Sequence, residues 1–138
     1  MITKGLEDYI EYIYLALSQN QTLRAIDIAN HFNISRASVS EMLIKLCEKE
    51  LIIYEGRKGI IITDLGIIKA KKIIKKHNIL LQFFSEVLGA NHEDSSLNAC
   101  KIEHVIDENL VEKIEKFSNF CIKNKINEKF ESLIKNDK

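Results

Sequence analysis

A mainly α-helical chain interrupted by one short β-hairpin is the fold class that the sequence predicts, on three observations. The 138 residues hold no proline and only five glycines, so few breaks are forced on the backbone. Apolar residues recur at the helical spacing over most of the length. That spacing changes once, between residues 51 and 63, into two β-branched runs.

The first helix carries Leu6, Ile10, Ile13, Tyr14 and Leu17 on one face and ends near Ser18-Gln19-Asn20. A second, shorter helix is carried by Ala25, Ile28, Ala29 and Phe32 and stops at Asn33-Ile34. Ser35 stands where an N-cap belongs, and Val39, Met42, Leu43 and Leu46 form the buried stripe of a third helix. Residues 51–54 and 59–63 flank Glu55-Gly56-Arg57-Lys58 and read as the hairpin. Asp64 is the expected cap of a long fourth helix, which runs through Ile67, Ile68, Ile73, Ile74, Leu80, Leu81 and Phe84 to a stop near Gly89. A fifth helix is expected at about residues 95–105 and a sixth at about 108–122. In the polar tail, the spacing of Ile126, Phe130, Leu133 and Ile134 permits a last docked helix.

Two short helices joined by a tight turn and followed by a hairpin make a winged helix-turn-helix, whose third helix is about as wide as a major groove. Outside the buried stripe, that helix offers Arg36, Ser38, Ser40, Glu41 and Lys45, with Ser35 and Ala37 at its leading end. The hydroxyls and Ala37 allow close approach, Arg36 and Lys45 suit phosphates, and Glu41 can accept from a cytosine amino group. Arg24, opening the second helix, adds a phosphate contact, and Arg57 and Lys58 at the hairpin tip reach backbone or minor groove. Each of these charges alone reads equally well as solvated surface. Their occurrence on helix, turn, helix and wing in that order favours DNA. The lysines at 69, 71, 72, 75 and 76 read as the wet face of the fourth helix.

Net charge is +0, yet residues 1–76 hold 12 Lys/Arg against 9 Asp/Glu and residues 77–138 hold 8 against 11. A basic first part beside an acidic second part suits DNA contact in one and cation binding or pairing in the other. The division is expected inside the fourth helix, giving a winged helix-turn-helix domain at 1–70 and a helical dimerisation domain at 71–138. No stretch approaches the roughly 20 apolar residues of a membrane span, and the first residues lack a secretory signal pattern. Three widely spaced cysteines do not make a disulfide framework. A cytoplasmic protein with reduced thiols is expected.

Cys100, Glu103 and His104 stand at i, i+3 and i+4, so one helical face presents a thiolate, a carboxylate and an imidazole. Such a triplet is half of a transition-metal site, or else a buried cysteine beside a surface Glu–His pair. Asp8 and Glu11 share a face of the first helix and read on their own as surface charge, and His77 as an ordinary late-helix histidine.

Several segments occur together in order: Glu7-Asp8-Tyr9-Ile10-Glu11-Tyr12-Ile13-Tyr14, Asp27-Ile28-Ala29, Ser38-Val39-Ser40-Glu41-Met42-Leu43, Ile62-Thr63-Asp64-Leu65-Gly66, His77 and Ala99-Cys100-Lys101-Ile102-Glu103-His104. Over about residues 3–122 the chain resembles the family of the diphtheria toxin repressor and the manganese transport regulator. The resemblance implies a winged helix domain on operator DNA, a helical homodimerisation domain, and a divalent corepressor bound between the first helix and the second domain. Carried over residue by residue, the ligands it implies are Asp8, Glu11, His77, Cys100, Glu103 and His104. The manganese branch has a glutamate where Cys100 stands, and the iron branch has the cysteine but a methionine in place of Asp8, so the set is a hybrid. The iron branch's ancillary site uses a glutamate where this chain has Leu81. The length leaves no room for the C-terminal SH3-like domain of longer members.

The sequence therefore predicts a repressor that uses Fe(II) or Mn(II), with Co(II) and Zn(II) also chemically suited to the thiolate. The rival reading is a winged helix regulator that senses a small organic ligand, or one used for protein contacts, with Cys100 and His104 structural. An enzyme is disfavoured, because no nucleophile motif or glycine-rich phosphate loop is present.

Overall fold

The computed structural model describes residues 4–19 and 22–137. The expectations for the first three residues, for Asn20 at the end of the first helix and for the last residue of the tail lie outside that range. The chain forms two compact units, one up to Lys72 and one from Ile73 onward.

In the first unit, α1 (Lys4–Ser18), α2 (Ala25–Phe32) and α3 (Arg36–Glu48) precede β1 (Ile52–Tyr54) and β2 (Ile60–Ile62), and α4 (Asp64–Gln82) begins. Leu6, Ile10 and Ile13 of α1, Ile28 of α2 and Val39, Leu43 and Leu46 of α3 form the core. The buried face of α1 is rotated from the expected one: Tyr9 is buried, with its ring 4.6 Å from that of Phe32, whereas Tyr14 and Leu17 are half-buried. Met42 is likewise half-buried. Asn33 takes the left-handed conformation (φ 54°), which ends α2, and the Ser35 hydroxyl accepts from the Ser38 N–H at 3.1 Å, which starts α3.

The hairpin is short. Its antiparallel register is Ile52↔Ile62, Ile53↔Ile61 and Tyr54↔Ile60, and the tip is a 3₁₀ turn at Gly56–Lys58. The Ile60 N–H donates to the Leu23 carbonyl at 3.2 Å, which ties the second strand to the approach to α2. The cap of α4 is Thr63, not the expected Asp64. Its Oγ1 accepts from the Gly66 N–H at 3.0 Å while its hydroxyl donates to the Glu50 carbonyl at 2.7 Å. Asp64 is the first residue of the helix, where its charge favours the positive end of the dipole.

In the second unit, α4 passes into a π-helical turn at Phe83–Val87 and ends at Gly89 (φ 76°). It is followed by α5 (His92–Ile102), α6 (Glu108–Lys123) and α7 (Ile126–Asn136). Ile73, Ile79, Leu80, Val87, Ala99, Val111 and Cys121 are buried. α5 lies about three residues earlier than expected, because Asn91 caps it by accepting from the Asp94 N–H at 2.8 Å. α7 packs on α6 and the π turn, yet Phe130, Leu133 and Ile134 all stay exposed. Among the described residues, no helix is long and apolar enough to cross a membrane.

A Cβ on Gly66 would fall onto the Leu51 carbonyl oxygen and against Ile62. We expect Gly66→Ala to cost at least ~3 kcal/mol of stability, since neither the backbone nor the strand can yield cheaply. Thr63→Ala should cost about 1–2 kcal/mol through the lost cap. Urea midpoints of both variants against the parent check the order.

Candidate metal centre and DNA-reading face

The second unit brings donors of three kinds together. α4 carries His77, α5 carries Cys100, and Glu103 follows as the C-cap of α5, its N–H donating to the Ala99 carbonyl at 2.9 Å. One ligand atom from each of His77, Cys100 and Glu103 lies within 4.8 Å of the other two. Glu103 is the centre of the group and is 1% exposed. Its Oε2 lies 2.8 Å from His77 Nδ1, which donates when protonated. Its Oε1 lies 3.4 Å from His104 Nε2 without hydrogen-bond geometry, and no described residue donates to it.

A buried carboxylate is costly unless its charge is met. Here one oxygen is satisfied and the other is not. Thiolate, imidazole and carboxylate in one place match a divalent transition cation, so the residues present fit such an ion.

The placements differ from the sequence reading in two ways. The expected helix through residue 105 would have put Cys100, Glu103 and His104 on a single face. Because α5 ends at Ile102, Cys100 and Glu103 stay together, while His104, its side chain 1% exposed, lies past the helix on the Oε1 side of the carboxylate. His77, unremarkable by its own spacing, proves to be the residue that holds Glu103. Asp8 and Glu11 lie three apart on α1 of the first unit, both half-buried. Burial pushes the Tyr9 hydroxyl pKa up, and the neighbouring Asp8 charge adds to the rise. Cys47 is half-buried in α3, and Cys121 is buried in α6.

On α3 the exposed residues include Arg36, Ala37, Ser38, Ser40, Glu41 and Lys45. Ser35 spends its hydroxyl on capping, and that hydroxyl also donates to Ser38 Oγ at 2.9 Å. Glu41 and Lys45 pair at 3.6 Å, so a base or phosphate must displace one for the other. Arg24 is the N-cap of α2, with its N–H donated to Asp27 Oδ2 at 2.9 Å and its side chain exposed. Arg57 and Lys58 are exposed at the hairpin tip, with Lys58 3.5 Å from Glu55. Ile44, assigned neither to the buried stripe nor to the reading face by sequence, is 59% exposed. A helical wheel drawn from Val39, Leu43 and Leu46 would have revealed it.

Two family models match the chain: the DNA-binding domain of iron-dependent repressors over residues 1–60, and their metal-binding and dimerisation domain over residues 63–128. An uncharacterized HTH-type transcriptional regulator of Methanocaldococcus jannaschii is 34% identical over 117 residues, 84% of this chain and 94% of the relative. The HTH-type transcriptional regulator MntR of Bacillus subtilis is 32% identical over 114 residues, 83% of this chain and 80% of the relative. Among solved structures, the manganese regulator SloR superposes with a TM-score of 0.73 at 28% identity, covering 87% of this chain and 55% of that one. The metal-dependent regulator MtsR superposes with a TM-score of 0.77 at 25% identity, covering 86% and 55%. The chain thus spans little more than half the length of these two solved proteins.

The half-met carboxylate generates a two-sided expectation. In chelator, Glu103→Gln should raise the thermal midpoint, because a buried charge is removed while an acceptor for His77 remains. With Mn(II) at 100 times its Kd, the parent gains about 2.7 kcal/mol and the variant little, so the order inverts. Thermal melts with and without chelator check it, and a variant that keeps the full metal-induced gain would contradict the assignment.

Proposed function

This chain belongs to the family of iron-dependent repressors, and from that membership we propose that it represses transcription by binding operator DNA as a homodimer with Fe(II) or Mn(II) as corepressor. The family consists of transcriptional repressors, not enzymes. The single observation that carries the metal reading is the buried Glu103 carboxylate, shared with His77 and beside Cys100, with one oxygen lacking a donor among the described residues.

His77, Cys100, Glu103 and His104 are the proposed ligands in the second unit. Asp8 and Glu11 are proposed to complete the set on the strength of the resemblance. When bound, the cation would supply the positive charge that these anionic groups lack. Cys100 must release its proton to ligate, and the His77 nitrogen facing Glu103 must do the same if it is to donate its lone pair. The thiolate tilts the site toward Fe(II), while the carboxylates and the likeness to a manganese regulator favour Mn(II). Repression follows only if the metal has a higher affinity for the DNA-competent arrangement than for others, since equal affinity shifts no population. Arg24, Arg36, Lys45, Arg57 and Lys58 are the proposed phosphate contacts, and Ser35, Ala37, Ser38, Ser40 and Glu41 are proposed to face bases or permit close approach. A site of action in the cytoplasm accords with this role.

Two outcomes are expected. A gel shift on a pseudo-palindromic duplex should need Mn(II) or Fe(II), disappear with chelator, and weaken with salt at a log–log slope of about 0.9 per phosphate contact. Binding that persists in chelator would favour the organic-ligand sensor instead. Replacing Cys100 with glutamate should shift the metal preference of DNA binding toward Mn(II), and the parent's apparent metal affinity should fall as pH falls. Anaerobic titrations of DNA binding with each metal at several pH values check both.

A further inference from the structure

We infer that Ile44 is a base-reading residue that recognises the C5-methyl group of a thymine in the major groove, an inference that rests on the DNA-binding reading above. The buried stripe of α3 is Val39, Leu43 and Leu46. At about 100° per residue, Ala37, Glu41, Ile44 and Glu48 fall on the opposite side of the helix. Ile44 is 59% exposed there. Beside it on that side are Glu41, which pairs with Lys45 at 3.6 Å, and Glu48.

A branched aliphatic side chain on a reading face has no hydrogen bond to offer, and in the major groove the one apolar base edge is the thymine methyl. Ser40 and Lys45, exposed on the two flanks of that face, suit the flanking polar edges and phosphates. Recognition at this position is therefore by exclusion of water between two apolar groups. A cytosine there would lack the methyl and would leave its amino group facing Ile44.

The test uses the full chain loaded with Mn(II) and the duplex it selects from a randomised pool. Each thymine of that duplex is replaced in turn by deoxyuridine, which removes the methyl and keeps the pairing. The parent should lose roughly fourfold in affinity at one thymine per half-site, the worth of about one buried methyl group. Ile44→Ala should bind the parent duplex more weakly by a similar factor and be indifferent to deoxyuridine at that position, while keeping its sensitivity elsewhere. Ile44→Val should retain part of the discrimination. A parent indifferent to deoxyuridine at every position, or an Ile44→Ala variant with an unchanged deoxyuridine profile, overturns the inference and leaves the repressor reading standing. Failure to bind any duplex with Mn(II) or Fe(II) overturns both. Loss of self-association in Ile44→Ala, without a change in base preference, would assign the residue to contact between copies of this chain and likewise overturn it.

Discussion

The second unit turns on the burial of one carboxylate. Glu103 sits where α5 ends, 1% exposed, with one oxygen on His77 and the other without a donor among the described residues. Without a cation, a hydrogen bond from His77 compensates one side only. A divalent ion held by the same atoms would meet the Glu103 charge and offset the cost of its burial. This is why the metal reading follows from an unfavourable local arrangement better than from the presence of ligand-type residues, which are common on protein surfaces.

The first unit depends on a different constraint, the junction between hairpin and α4. Thr63 accepts from Gly66 and donates to Glu50, and Gly66 lies so close to the Leu51 carbonyl that no side chain fits. The hairpin, only three residues per strand, is held by this junction and by the Ile60–Leu23 hydrogen bond. A wing too short to be stable alone is thereby anchored at both ends of its second strand, beside an α3 whose exposed side is available to a groove.

Much of this was legible in the sequence, because helices with one buried stripe and a hairpin of β-branched runs leave strong periodic signals. Ser35 and Asn33 are legible because caps and left-handed ends have local chemistry. The features that the sequence does not disclose depend on competing local choices or on distant partners. Thr63 and Asp64 are both good caps, and the Glu50 and Leu51 carbonyls, which lie within reach of the Thr63 hydroxyl, favour Thr63. Asn91 starts α5 early and the helix ends at Ile102, so His104 lies past it and the expected single face of three donors divides. The role of His77 was invisible to periodicity because its partner is 26 residues away. Only the family resemblance singled it out. The exposure of Ile44 is legible in the helical period, since it lies opposite Val39, Leu43 and Leu46.

The most direct test of the central claim, that His77, Cys100 and Glu103 hold a divalent cation, is the electronic spectrum of the Co(II)-loaded full chain under anaerobic conditions. A thiolate-to-cobalt charge-transfer band is expected that saturates with metal and is lost in Cys100→Ser while Cys47→Ser leaves it unchanged. Absence of the band in the parent, or its persistence in Cys100→Ser, would contradict the claim.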